Sequence, residues 1–368
     1  MPIFRRYLSY FRNFDWVLFG AVLLLIAFSL AALYSIAISS ETPNFSNFNK
    51  QIIFAVIGII FVFIFSLVDY RFWLQFSHFF YGISALLLLA VLFFGRTVSG
   101  TTGWFTLPGF SFQPVEVAKL ALIATLAWFL SQKIGVIKET KNFIISGAFT
   151  FLLFGLVMLQ PDFGSGMVLF VIWFIMMYLA GADRKHLLSI IALIVLGGLI
   201  SWLFLFQPYQ KDRIMTFFNP NSDPYGRGYQ VRQAIVAVGA GGLLGRGLGF
   251  GSQSQLKFIP ASQTDFIFAV IGEELGFLGV GLVLFLWVLI FFRLYRAISR
   301  TSDSFAAFFI IGLSILFFSQ IFVNIGMNVG IVPVTGIPLP FVSYGGSFLV
   351  VSLMSIGVVE SMVIRSRG

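Results

Sequence analysis

Residues 264–292 read TDFIFAVIGEELGFLGVGLVLFLWVLIFF. From Phe266 onward the run stays apolar for longer than the roughly twenty residues that carry a helix across a bilayer core, so 266–292 reads as a membrane span. Thr264 and Asp265 stand at its mouth. Glu273 and Glu274 follow a few turns in, between Gly272, Gly276 and Gly279. Ionisable groups inside a span are costly and face protein or a wet cavity. Glycines let neighbouring helices come close. The two glutamates therefore read as structural or site-supporting groups within a bundle.

Working outward, apolar runs of comparable length lie at 16–38, 51–68, 73–94, 114–132, 143–160, 163–181, 186–206, 305–327 and 346–364. Of the 368 residues 59% are hydrophobic and 10% charged, and the mean hydropathy is +0.98. No soluble domain hides that much apolar surface. The expected fold is an all-α polytopic membrane protein of about ten transmembrane helices. Residues 1–368 form one integral-membrane domain, with a large extracytoplasmic loop between helices 7 and 8, about 207–265. The absence of cysteine excludes disulfides, thiolate metal sites and a cysteine nucleophile. His78 and His186 read as structural, and 48 phenylalanines suit lipid-facing surfaces.

Arg5, Arg6 and Arg12 precede the first span and place the N-terminus in the cytoplasm by the positive-inside rule. An even number of spans returns the C-terminus to the same side. Arg71, Lys133, Lys138, Lys141, Arg184, Lys185, Arg293, Arg296, Arg300, Arg365 and Arg367 then all fall inside. The first span is too long for a signal-peptide core and reads as a retained anchor. A formal charge of +9 belongs to these span ends, and nucleic acid is not needed to explain it.

The loop before Asp265 breaks the charge bias, with Lys211, Arg213, Arg227, Arg232, Arg246 and Lys257 outside. Cations and one carboxylate beside lipid suggest a site for an anionic, membrane-borne substrate. Asp265 has two readings. One is a first-turn carboxylate stabilised by the helix dipole. The other is a general base at the water–lipid boundary, which needs desolvation or tight positioning because a helix N-terminus acidifies a carboxylate. Glu116 and Lys119 follow Gln113 and Pro114 at the start of the fourth span. A spacing of three puts them on one helical face, where they can pair.

The glycine-rich run Gly239–Gly251 tempts a phosphate-loop reading. It lacks the lysine and Ser/Thr of that motif, so a loop approaching a lipid headgroup fits better. GIPLPFVSYGGS at 336–347 interrupts the apolar pattern and reads as a re-entrant wall of the same site.

These segments together resemble the SEDS family (shape, elongation, division and sporulation). The matching pieces are FQPVEVAK at 112–119, QPDFGSG at 160–166, PYQKDRI at 208–214 and DPYGRGYQ at 223–230. They continue with GLGFGSQSQLKFIP at 247–260, TDFIFAVIGEELGFLG at 264–279, and NIGM to PVTGIPLPFVSYGGS over 324–347. The wording PVTGIPLP and SQSQLKF is closer to the rod-shape branch of the family than to its cell-division branch.

The resemblance implies a peptidoglycan glycosyltransferase that polymerises lipid II outside the bacterial cytoplasmic membrane, during cell elongation. It implies Asp265 as the essential loop carboxylate, with Glu116 and Lys119 beside it as catalytic candidates. Arg213, Lys257, Arg246, Trp104, Gln113 and Ser343 complete the expected substrate-contacting set. A class B penicillin-binding protein, with other proteins of the elongation complex, is the expected partner. No protein metal site is expected, and a divalent cation at the substrate pyrophosphate stays open.

This chain departs from the family wording at Gly103, where Arg is common, and at Val115, where Ser is usual. Ala261 and Gln263 stand where Glu and His usually precede the TDF triplet, so metal dependence is not carried over. The main rival reading is a lipid II flippase, which needs an aqueous charged path past Glu116, Lys119, Glu273 and Glu274. A pure scaffold leaves the loop chemistry unexplained.

Overall fold

The computed structural model describes residues 10, 12–38, 43–98, 100–107, 110–205, 211, 215, 217 and 226–366. Each expected span is a helix, in the expected order: α1 (Trp16–Ile38), α2 (Ser46–Leu67), α3 (Arg71–Phe94), α4 (Pro114–Gln132), α5 (Thr140–Met158), α6 (Phe163–Leu179), α7 (Arg184–Ile200), α10 (Ile267–Arg300), α11 (Ser304–Asn328) and α12 (Gly346–Ser366). Among the described residues, nine segments are long and apolar enough to cross a membrane, and α6 is a shorter apolar helix. α7 runs on through a wider π-helical turn, Ser201–Leu205.

Two features depart from the expectation. An antiparallel three-stranded meander, β1 (Arg96–Val98), β2 (Thr101–Leu107) and β3 (Phe110–Phe112), fills the link between α3 and α4. The link before α10 also holds regular structure, α8 (Arg227–Ala240) and a single turn, α9 (Ser252–Gln255).

The bundle is graded from centre to edge. In the most apolar stretch of α4, 83% is buried, and in α12 78%, against 6% for the stretch through Arg184–Phe204. α4 packs on α3 and α11, and α12 on α2. Lipid tails are as apolar as leucine, so close packing and polar contacts hold spans together more than hydrophobicity does. Gly357 shows the fit: a Cβ there would sit 2.7 Å from the Val62 carbonyl oxygen. At the end of the bundle remote from Asp265, the Asp15 carboxylate accepts from Arg293 Nε at 2.8 Å and joins α1 to α10.

α10 is broken at Gly276, whose φ of 63° and ψ of −162° leave the helical region. The turn after α8 is laid into the break. The Glu273 and Glu274 carbonyls accept from the Arg246 and Gly247 N–H groups at 3.0 and 2.9 Å. The Phe277 and Leu278 N–H groups donate to Gly242 and Leu243 at 2.9 and 3.1 Å. A side chain on Gly276 would strike the Gly245 nitrogen at 2.2 Å. The glutamate side chains reinforce the inlay. Glu273 accepts from the Gln253 and Ser254 N–H groups, and Glu274 from the Ser35 hydroxyl and Gln255 Nε2. The Arg246, Gly247 and Gly249 N–H groups are all bonded within the protein, so these backbone groups serve the helix break.

Candidate active site

Asp265 lies in the turn that leads into α10. Ala261 opens that turn in the left-handed region, at φ 52°, and its carbonyl accepts from the Thr264, Asp265 and Phe266 N–H groups. Phe266 is the anchor. Its ring is fully buried in a small separate core with Ala234 and Ala237 of α8, Ile259 and Ala269. A floor for Asp265 is thus built from the loop helix on one side.

The other side is the re-entrant segment expected at 336–347. Ser343 is fully buried, and its hydroxyl donates to the Thr264 carbonyl at 2.6 Å and accepts from the Leu339 N–H at 2.8 Å. The Tyr344 N–H donates to the Gln263 carbonyl at 2.9 Å. Gln263 Oε1 in turn accepts from Asn47 Nδ2 at 2.6 Å, and Gln51 Nε2 donates to the Ser343 carbonyl at 3.2 Å. Ser343 therefore supports the Asp265 turn from beneath. Gly336 faces the carboxylate directly, since a Cβ on it would lie 3.7 Å from Asp265 Oδ2.

Phe266, the residue preceding α10, makes no side-chain cap, and the polar side chain that acts on the Asp265 carboxylate is that of its neighbour Thr264. Burial pushes the Asp265 carboxyl above its ordinary 3.8, and the Thr264 bond opposes that shift. Desolvation, the compensation that a base at a helix start requires, is therefore present. Burial likewise raises the Tyr344 phenol, which stays neutral beside the turn.

The remaining candidates spread out from this point. Gln113 ties two walls: its N–H donates to Ser347 Oγ at 3.3 Å and its Nε2 to Asp162 Oδ2 at 3.5 Å. Asp162 caps α6 through the Ser165 N–H. The next glycine, Gly164, presses on the Thr335 carbonyl, beside the Gly336 that faces Asp265. Trp104 is half-buried on β2, paired across the strands with Arg96. A Cβ on Gly103 would meet Gln160 Oε1 at 3.3 Å and stand 4.0 Å from Gln113 Nε2, so two glutamines border this position.

Arg246 and Lys257 are exposed on the loop, and Arg246 bonds Ser252 Oγ at 2.9 Å. Neither makes a described contact with Asp265. Arg213 lies outside the described residues.

Glu116 and Lys119 do pair, at 2.8 Å, and both are buried. They sit in the bundle core, beside a cavity of about 10 Å³ shared with Gln320, Ser352 and Ser355. The Gln320 amide has no hydrogen-bond partner among the described residues. Gln320, Asn324 and Asn328 follow at intervals of four along α11, one above the other on a single face. That stripe is what connects the ion pair to the Asp265 turn. Sequence reading missed the two asparagines, although amides four apart in an otherwise apolar span are a signal in themselves.

A polytopic helical bundle that holds a desolvated carboxylate between a re-entrant wall and the head of a broken span is the architecture of a membrane enzyme working at the lipid boundary. The chain belongs to the FtsW/RodA/SpoVE family, described as cell cycle proteins, which it matches over residues 15–367. The family resemblance read from the motifs is borne out.

Among its relatives, stage V sporulation protein E of Bacillus subtilis is 38% identical over 362 residues, covering 96% of this chain and 98% of that protein. A probable peptidoglycan glycosyltransferase FtsW of Thiomicrospira cyclica is 35% identical, with 97% and 93% covered. The peptidoglycan glycosyltransferase MrdB of Escherichia coli K12 is 34% identical, with 95% and 94% covered. Among solved structures, a chain of a peptidoglycan synthase complex superposes with a TM-score of 0.82 at 30% identity, covering 96% of this chain and 98% of that one. The rod shape determining protein RodA of Thermus thermophilus superposes at 0.72 and 28%, with 96% and 97% covered. Division, sporulation and rod-shape relatives all appear, so the comparisons do not select a branch.

Proposed function

We propose that this SEDS-family peptidoglycan glycosyltransferase polymerises lipid II into β-1,4-linked glycan strands, with Asp265 as the general base. The observation that carries the reading is the Asp265 carboxylate itself. It is half-buried, outside any ion pair among the described residues, and open toward Gly336.

In the proposed step, Asp265 takes the proton of the acceptor's GlcNAc 4-hydroxyl as that oxygen attacks the anomeric carbon of the donor. The bond from that carbon to the pyrophosphate breaks, and undecaprenyl pyrophosphate leaves with the electron pair. A single displacement turns the donor's α linkage into β and needs no protein nucleophile. Lys257 and Arg246, with Arg213, are the loop cations available to the leaving pyrophosphate. Trp104 and Gln113 are the further substrate-contacting candidates of this reading. A divalent cation carried by the substrate pyrophosphate is not part of the proposed step. Among the described residues no three His, Cys, Asp or Glu side chains gather to hold a metal, and no step is routed through one.

The arginines and lysines at the span ends support a bacterial cytoplasmic membrane protein with both termini cytoplasmic and Asp265 on the extracytoplasmic side. PVTGIPLP and SQSQLKF support a RodA-type role in elongation, with FtsW-type division as the alternative using the same chemistry. One solved neighbour belongs to a synthase complex coordinating polymerization and crosslinking. This supports a class B penicillin-binding protein as partner, together with other elongation proteins. Flippase activity finds less support. Glu116 and Lys119 are bonded to each other, and Glu273 and Glu274 are committed to the inlaid loop.

The test is reconstitution with the cognate transpeptidase and labelled lipid II, comparing wild type with a folded, partner-bound Asp265→Ala variant. Glycan strands from wild type alone are expected. Equal polymerisation by both would remove Asp265 from the mechanism.

A further inference from the structure

Asp265 stands just before α10, and the first N–H groups of a helix need partners from outside it. A carboxylate this close to a helix start is drawn toward those groups by the positive end of the helix dipole, which acidifies it. Here the cap comes from another helix. Asn328 Oδ1 of α11 accepts from the Ala269 N–H, in the first turn of α10, at 3.0 Å. The same amide donates through Nδ2 to the Asp265 carbonyl at 2.9 Å. One turn away, Asn324 Nδ2 donates to that carbonyl at 3.1 Å and to the Ile337 carbonyl at 2.8 Å. Asn328 Nδ2 also bonds the Asn324 carbonyl at 2.8 Å, which locks the pair together. Both side chains are fully buried.

Two amides in the middle of an apolar helix are thus bonded to the backbone of the candidate base, the helix behind it and the wall beside it. Gly336, which faces the carboxylate, immediately precedes Ile337, so the clamp sets both sides of the gap in which the base works.

We infer that Asn324 and Asn328 are positioning residues of the polymerisation step: by capping α10 and holding the Asp265 carbonyl they leave the Asp265 carboxylate free to face the substrate. The inference rests on Asp265 being the general base. No other titratable or charged side chain among the described residues contributes to the ionisation of Asp265. α11 presents the two asparagines, the re-entrant wall presents Gly336, and the turn presents Thr264. The neutral Tyr344 phenol is the nearest titratable group in the sequence of that wall.

The experiment is a pH–rate profile of lipid II polymerisation by the protein with its transpeptidase, for Asn328→Ala, Asn328→Asp, Asn324→Ala and Asp265→Ala. With Asn328→Ala the Asp265 carbonyl loses its 2.9 Å donor and the Ala269 N–H keeps only the Phe266 carbonyl at 3.1 Å, so the turn loosens and the carboxylate shifts toward the positive end of the helix. The expected result is a kcat lower by about tenfold or more, with KM within about twofold, and an acidic limb moved to lower pH. Asn328→Asp keeps the cap but sets a second carboxylate beside the first, so its limb moves to higher pH. Asn324→Ala, with the wall loosened, lowers kcat without moving the limb downward.

A purely structural role would lower the yield of folded protein and shift neither limb. Wild-type kcat and limb in both Asn328 variants, with Asp265→Ala inactive, would overturn the inference and leave the base in place. An active Asp265→Ala would overturn both. If Asn328→Ala does not accumulate, Asn324→Ala decides: a lowered kcat at a near wild-type KM supports the clamp, and a wild-type kcat overturns it.

Discussion

Glu116 and Asp265 resemble each other as text: each is a lone carboxylate at the head of an apolar run, just behind a polar turn. Their surroundings separate them. Glu116 sits in the first turn of the most deeply buried helix and is bonded to Lys119 at 2.8 Å. Asp265 is held by its backbone while its carboxylate faces a glycine gap with one hydroxyl for company. A carboxylate whose charge is already neutralised by a bonded ammonium is a brace. One that is fixed through its backbone and left unpaired can take a proton. The difference lies in what neighbouring helices supply, not in the acid.

The largest effect separates the two by activity. Asp265→Asn is expected to lower polymerisation about 10²- to 10⁴-fold, the range of general-base catalysis, while the thermal melt of the purified protein stays near wild type. A variant that melts early and keeps its specific activity would reverse the assignment. Lys119→Ala is expected to show the opposite pattern. Removing one member of a buried pair leaves an uncompensated charge and costs about 3–5 kcal/mol, read as early loss of monodisperse protein on heating in detergent. Glu116→Gln with Lys119→Met should restore most of that loss.

Gly276→Ala comes next. Positive φ and the close Gly245 nitrogen leave no room for a methyl, and about 1–3 kcal/mol of strain should appear as lower folded yield.

The pH dependence is a smaller effect, and it sharpens the contrast. Because burial raises the carboxyl of folded Asp265 above 3.8, the native state keeps its proton to higher pH than the unfolded chain. Stability therefore falls as pH rises from 3.8 through the raised value, and Asp265→Asn removes that fall. For the rate, the ionised base is needed, so the acidic limb should lie above the ordinary aspartate range. A limb at or below that range would argue against a desolvated base. Lys257→Gln should be the mildest change. An exposed side chain contributes within about 0.5 kcal/mol to stability, so any rise in KM reports contact with the anionic substrate.

Spans were legible because lipid imposes a simple rule: a helix long and apolar enough to close its own hydrogen bonds. Even the ends agree closely, as at Trp16–Ile38 and Pro114–Gln132. α10 runs past 292 to Arg300, where arginines carry the helix out of lipid and Arg300 meets its negative end.

The meander at 96–112 escaped notice, although Thr, Val, Phe and Trp alternate there between Ser99-Gly100 and Pro108-Gly109, both ordinary turn signals. α8 escaped because its apolar stripe, Val231, Ala234, Ile235 and Val238, is short and weak beside the spans.

At the site, Asp265, the wall at 336–347 and the Glu116–Lys119 pair could be read from spacing and helix-start signals. The asparagine clamp could not be placed, because its partners lie some sixty residues apart in the chain. Pairings of that kind are set by which helices meet, and a single sequence does not carry the meeting.

The break at Gly276 bears on how the protein is made. The groups partnered by the turn at 242–247, the Glu273 and Glu274 carbonyls and the Phe277 and Leu278 amides, stand four apart and would pair with one another in an unbroken helix. The eighth span can therefore enter the bilayer with its own hydrogen bonds closed, and the earlier-synthesised loop takes them over when it docks. Gly276, at φ 63°, is the joint that permits the exchange.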